Sequence, residues 1–452
     1  MSPAALPSRS EPQSAFEREI ARFAAKPEVR SALAWFRDQE GEFSRWQLDL
    51  ARIPAPPFGE QARSDWLEDK FQTIGLDQVQ KDAIGNVFGM RPRGTRPGET
   101  RSGRTTSPGG EPSAQETFVS ISAHLDTVFP AGAPLNIRQQ GRKLLGPSVS
   151  DNAAGITALL AVAAAFEHFK LPHAESLLFI GNVGEEGEGD LRGMRHIFSE
   201  SPWKDSIRAS LVLDGAGSDT IVAEALGSRR FEVVIRGPGG HSWSDFGAPN
   251  PIVALARSIH FFSQTRVSTS PKTTFNIGVI RGGTSVNSIP ESASMRVDIR
   301  STSALEIERL ELDLRRAVER SIGGGTAGED VEEKFGERIE GKKTRASEKR
   351  RSALTAEIAP IGNRPGGELD PNARILQIAR AVDAHLGNSA QIQRASTDAN
   401  IPISMGREAI AIGAGGSGGG AHTQQEWFDT TGRELGLARI LLIVLALAGD
   451  AK

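Results

Sequence analysis

Three stretches decide the fold: FVSISAHLDTV at 118–128, SVSDNAAGITALLAVAAAFEHF at 148–169 and SLLFIGNVGEEGEGD at 176–190. The first and third contain short runs of Val, Ile, Leu and Phe, the length and chemistry of buried strands. The second is long, alanine-rich and apolar throughout, which reads as a buried helix. Strand, helix, strand in that order is the unit of an α/β domain with a parallel sheet. Both strands run into His, Asp or Glu, and loops at strand ends are where such folds place their chemistry.

The same alternation continues outward. SLVLDGAG (210–217) and EAIAIGAG (408–415) read as further strands, and 190–199, 371–386 and 430–447 as helices. Helical periodicity also runs over 16–53 and 61–74, interrupted by the prolines of IPAPPFGE and closed by Gly75. Residues 1–15 read as a flexible tail, and 91–116 as a solvated polar loop. Near Gly227 the pattern changes to strand–helix–strand–strand–helix–strand, the split βαβ order of a ferredoxin-like domain. The expected organisation is therefore an α/β domain over 16–226 and 365–452. A smaller α+β domain is inserted at 227–364 and carries an exposed charged insertion at 323–352.

Composition narrows the function. A net charge of -3 offers no basic surplus for nucleic acid. A hydrophobic content of 38% supports packed cores. The absence of cysteine excludes disulfides, thiolate nucleophiles and cysteine metal sites. No apolar run reaches membrane-spanning length, and the N-terminal stretch lacks the apolar segment of a leader. The expectation is a cytoplasmic protein without membrane or nucleic-acid partners. Any metal must be held by His, Asp and Glu.

Candidates for that role stand at the strand ends. On a strand, His124 and Asp126 face the same way, so the carboxylate can fix one ring nitrogen while the other meets a metal. Asp151 starts the apolar helix, where it could be an N-cap or, with two oxygens, a bridge between two metals. Glu185 and Glu186 point to different sides, so one can ligate while the other serves as general base. Asp214 ends a third strand and His422 follows a fourth. Such a set suits a pair of zinc ions, with cobalt or manganese as alternatives. GAGGSG (413–418) and GGSGG (415–419) match nucleotide-binding and serine-elbow patterns, but no helix opens after them. That loop reads instead as flexible backbone approaching a ligand.

SAHLDTVFP, GPSVSDNAAGI, GNVGEEGEGDLRGM, LVLDGAG, GPGGHSW, GGTSVNSIP, RVDIRS, STDANIP and GGGAHTQQEW together resemble the di-zinc exopeptidase and deacylase family. That family includes peptidase T, glutamate carboxypeptidase, acetylornithine deacetylase and succinyl-diaminopimelate desuccinylase. GEEGEGDLRGMR is most similar to the peptidase T-like branch. The resemblance implies a zinc-exopeptidase catalytic domain with an inserted ferredoxin-like dimerisation lid, acting as a homodimer. It implies that His124 and Asp214 hold one Zn²⁺, Glu186 and His422 the other, and that Asp151 bridges them. Asp126 would orient His124, and Glu185 would be the base that assists attack by a bridging hydroxide. His241 would stabilise the oxyanion, and Asn287 and Arg300 would hold the substrate carboxylate or backbone. The implied activity is hydrolysis of short peptides by a tripeptide aminopeptidase or dipeptidase. The alternatives are an N-acyl-amino-acid amidohydrolase and a glutamate-type carboxypeptidase. A metal-free binding relative would lack a ligand or the base, and none is missing.

Overall fold

The computed structural model describes residues 14–94, 116–323 and 354–450. They form two compact units. One holds the chain up to Ala225 and from Glu368 onward, and the other holds Leu226–Gly367.

Four parallel strands form the centre of the first unit: Ser176–Asn182, Phe118–His124, Ile207–Leu213 and Glu408–Ile412, in that spatial order. Val87–Arg91 and Asp77–Lys81 extend one side antiparallel. Thr220–Ala225 extends the other side and carries Gln391–Ala395 parallel to it. Along the strands the side chains alternate between two cores. Val119, Ile121, Leu177, Phe179 and Leu211 join the layer of helices Ala153–His168 and Arg433–Ala448. Phe118, Leu178, Ile180 and Val212 join the layer of helices Arg192–Ser199 and Asn400–Ser404. A sheet covered on both faces needs this period of two with apolar residues at both phases. The helix Ala153–His168 is buried on nearly every side, which explains its lack of a polar face.

Two expectations change at their edges. The region 16–53 is three helices, Ala15–Ala25, Pro27–Asp38 and Glu40–Ala51, with Pro27 opening the second. Ser14 and Ala15 belong to the first helix and not to a tail. The Ser14 hydroxyl accepts the Glu17 N–H at 3.0 Å, and the Glu17 carboxylate accepts the Ser14 N–H at 3.2 Å. Arg91 is not solvated either. It ends the strand Val87–Arg91 fully buried, pairs with the Glu167 carboxylate and donates to His173 Nε2 at 3.0 Å. Residues 1–13, 95–115 and 324–353, which take in most of the tail and the two insertions, lie outside the described residues.

The second unit is a four-stranded antiparallel sheet in the order Thr273–Gly282, Ser292–Ser301, Gly227–Arg236, Thr355–Arg364. Helices Pro251–Ser263 and Ala304–Ile322 pack on one face of it. Leu255, Phe262, Leu310 and Leu314 meet Phe231, Val233, Met295 and Ile299 there. Strand order and direction are those of a ferredoxin-like fold. The α/β unit with an interposed ferredoxin-like unit is thus the observed fold class.

Candidate metal centre

Five segments of the first unit converge beyond the carboxyl ends of its parallel strands. His124 is the last residue of Phe118–His124, and Asp214 follows Ile207–Leu213 directly. Glu185 and Glu186 lie just after Ser176–Asn182. His422 sits in the turn between the short strands Ser417–Gly419 and Trp427–Asp429. Trp427–Asp429 pairs with Lys143–Leu145, which brings the His422 turn beside the loop that carries Asp151. Asp151 is not the N-cap of the apolar helix. Asn152 is, and its Oδ1 accepts the N–H groups of Gly155 and Gly215, each at 3.1 Å. The Asp151 carboxylate is therefore not used in capping.

Each oxygen of Asp151 serves a different cluster. Oδ1 is 3.1 Å from His124 Nε2, which is 3.8 Å from Asp214 Oδ1. Oδ2 is 3.0 Å from His422 Nε2, which is 3.0 Å from Glu186 Oε1. Within His124–Asp151–Asp214, and again within Asp151–Glu186–His422, the donor atoms lie within 4.8 Å of one another. Glu185 and Glu186 form a third such group with His124.

This arrangement is short of positive charge. His124 Nδ1 is 3.1 Å from the Asp126 carbonyl, a contact that requires Nδ1 to carry the hydrogen. In the neutral ring, Nε2 then presents a lone pair to Asp151 Oδ1, a buried oxygen that accepts no hydrogen bond among the described residues. Only a cation between them, a proton or a metal, relieves that opposition. Burial works against a charge on His124, yet the carboxylates of Asp126, Asp151 and Asp214 hold its pKa well above the ordinary histidine value. Asp151 and Glu186 push His422 up to about 10. Burial would raise the Asp151 carboxyl, but the two imidazoles keep it below the usual carboxylate range. Two clusters of nitrogen and oxygen donors sharing one carboxylate fit a pair of divalent cations such as zinc.

Asp126 does more than face His124. Its carboxylate accepts the backbone N–H groups of Glu185 at 2.9 Å and Glu186 at 2.7 Å, while its Oδ1 is 3.6 Å from His124 Nδ1. One side chain thus ties the two glutamates to the histidine strand.

Sequence reasoning did not single out two buried acids. Asp398 accepts the Asn182 amide at 2.6 Å, and burial pushes it up to about 7. Glu426 accepts three backbone N–H groups from the Asp151 loop and is likewise pushed up to about 7 by burial. Each stands within a quoted motif, but neither spacing nor periodicity marks it. The glycine-rich loop 413–420 is closely packed. A Cβ at Gly413 would meet the Gly217 carbonyl at 2.4 Å, and one at Gly415 would meet the Gly436 Cα at 2.8 Å. At these two positions glycine lets backbone pack on backbone.

The remaining three candidates lie in the second unit. Gly240–His241 pairs with Ser288–Ile289, and the Ser242 N–H reaches the Asn287 carbonyl at 3.0 Å, so His241 and Asn287 are neighbours. The exposed His241 ring accepts the Trp243 N–H at 3.2 Å through Nδ1. Arg300 stands near the far end of strand Ser292–Ser301 and donates to Asp298 at 2.7 Å. At about 3.4 Å per residue, roughly 27 Å of strand separates Ser292 from Arg300. Within one copy of this unit, Arg300 is not brought to His241 and Asn287.

Comparison with known proteins shows the family of the chain. Residues 120–446 match the model of peptidase family M20/M25/M40. A protein from Aspergillus terreus named "Probable carboxypeptidase" is 29% identical over 324 residues, 67% of this chain and 69% of that protein. The chain spans about half the length of other fungal relatives of that name, at 27% and 30% identity. Among solved structures, a tripeptidase from Staphylococcus aureus superposes with a TM-score of 0.66 at 20% identity, covering 90% of this chain and 98% of that one. A dinuclear metal-binding peptidase of the M20 family from Bacillus subtilis superposes at 0.58 and 15% identity, covering 92% of this chain and all of the other. The chain belongs to peptidase family M20/M25/M40 and is a hydrolase of that family.

Proposed function

We propose that the chain hydrolyses the terminal amide bond of short peptides with the help of two divalent cations. The observation that carries this reading is the division of Asp151, one oxygen to His124 and Asp214, the other to His422 and Glu186. In this proposal His124, Asp151 and Asp214 would hold one zinc, and Asp151, Glu186 and His422 would hold the other. Zinc bound there would polarise the scissile carbonyl and make the attacking water more acidic. Glu185 takes a proton from that water as its oxygen bonds to the carbonyl carbon. It returns the proton to the leaving nitrogen as the C–N bond breaks. Asp126 keeps Glu185 and Glu186 in register with His124. His241 is assigned to the oxyanion, and Asn287 and Arg300 to the substrate backbone or carboxylate.

Two versions of the substrate remain within this reading. The GEEGEGDLRGMR segment favours release of an N-terminal residue, as in a tripeptide aminopeptidase. The names of the fungal relatives favour release of a C-terminal one. One tripeptide, offered free, N-acetylated and C-amidated to the zinc-loaded protein with a chelated control, separates them. Chelator-sensitive cleavage lost on acetylation assigns an aminopeptidase. Cleavage that survives acetylation and is lost on amidation assigns a carboxypeptidase or deacylase. Cleavage indifferent to the chelator removes the metal from the reading. A homodimer through the inserted unit is part of the same proposal. It is supported by the edge strand Thr273–Gly282, where Val279 and Ile280 are exposed. Sedimentation of the unsubstituted chain against Ile280→Lys tests it. Among the described residues no helix is long and apolar enough to cross a membrane.

A further inference from the structure

We propose that Glu426 is a positioning residue that sets the spacing between Asp151 and His422, an inference that rests on the metal-centre reading above. Glu426 is only 1% exposed. Its Oε1 accepts the N–H groups of Ser150 and Asp151, both at 2.7 Å, and its Oε2 accepts the Ser148 N–H at 2.9 Å. These three donors occupy most of its acceptor sites, and Glu426 is in none of the groups of converging ligand atoms among the described residues. Its backbone holds the other side. The Glu426 carbonyl accepts the Gly146 N–H at 2.9 Å, and its N–H reaches the Thr423 carbonyl at 3.3 Å. Thr423 closes the turn around His422 by donating its hydroxyl to the Gly420 carbonyl at 2.7 Å. One residue thus joins the loop of Asp151 to the turn of His422, segments that are otherwise far apart in the chain.

The backbone of both segments supports the same conclusion. Ser148 has a φ of 66° and His422 a φ of 64°, left-handed conformations that a side-chain-bearing residue keeps only where its surroundings hold it. Arg63 completes the brace. Its guanidinium donates to Ser148 Oγ at 3.1 Å and to the Leu125 carbonyl at 2.8 Å, linking the Asp151 loop to the residue after His124. Residues that orient metal ligands typically change metal affinity 10–100-fold when replaced.

The test is zinc titration by competition calorimetry on the full chain, unsubstituted and as Glu426→Gln. Metal-free melting curves of both are recorded alongside. Glutamine has the same shape but turns an NH₂ toward a backbone N–H. The expected result is two zinc ions for the unsubstituted chain and a weaker-binding zinc lowered 10–100-fold in E426Q, with an altered visible spectrum on loading with cobalt(II). If E426Q does not fold without metal, Glu426→Asp takes its place. That variant keeps the charge but is one methylene too short to reach both segments, and the same weakening is expected. Two zinc ions bound with unsubstituted affinities by the folded variant would overturn the positioning role. An unsubstituted chain that binds no zinc would instead overturn the metal centre, and this inference with it.

Discussion

The first unit places histidines and acids at both ends of its parallel sheet and treats their charge in opposite ways. Near the start of Ser176–Asn182, His173 is fully buried. It accepts from Arg91 Nε through Nε2 at 3.0 Å, and its Nδ1 donates to the Glu175 carbonyl at 2.7 Å. Arg91 also pairs with Glu167. Donors and acceptors match, and burial beside the Arg91 charge pushes His173 down to about 4. At the carboxyl ends, the contacts of His124 and His422 among the described residues are with carbonyl and carboxylate oxygens, and their pKa values rise instead of falling. The same residue types make a closed structural cluster at one end and a cation-seeking one at the other. Unmet demand for positive charge, and not the presence of buried histidine, distinguishes the candidate metal cluster.

That contrast can be broken at several points. The largest effect is expected from Asp151→Asn, which weakens both cation positions together. Bound zinc should fall well below two per chain, and turnover by at least about 1,000-fold, as expected for several kcal/mol of lost charge stabilisation. Full zinc occupancy would show that Asp151 is not shared. Glu185→Gln should lower turnover by about 100- to 10,000-fold while both metals stay bound, as expected for a general base. Elemental analysis beside steady-state kinetics checks the pair. His422→Ala should remove one zinc and spare the other, since His124, Asp151 and Asp214 remain. Loss of both would mean that the clusters do not bind separately.

The closed cluster predicts a smaller effect, on stability alone. The folded pKa of His173 lies below its unfolded value near 6.5, so the unfolded chain binds more protons between them. The stability this supplies is present above pH 6.5 and is lost as pH falls toward 4. Its size is on the order of 3 kcal/mol. In metal-free protein, His173→Gln should flatten the melting temperature across that window. An unchanged slope would show that another group controls acid unfolding.

Much of this was legible in the sequence because strongly patterned elements end at the chemical residues. FVSISAH and SLLFIGN announce buried strands, so the acids and the histidine that follow fall at one edge of the sheet. The order of elements from Gly227 onward likewise gives the ferredoxin-like unit. What escaped depends on partners distant in sequence. Arg91 reads as the start of a polar loop until His173 and Glu167 are seen around it. Glu426 acts on backbone N–H groups of Ser148–Asp151, which no side-chain pattern records. Asn152 takes the N-cap that Asp151 could have filled, a choice between neighbours that composition cannot settle.

The most direct test of the shared carboxylate is an anomalous difference map from crystals of the zinc-loaded chain, collected above and below the zinc edge. Two peaks about 3.5–4 Å apart are expected, one among His124, Asp151 and Asp214 and one among Asp151, Glu186 and His422. A single peak, or two that do not both touch Asp151, would contradict it.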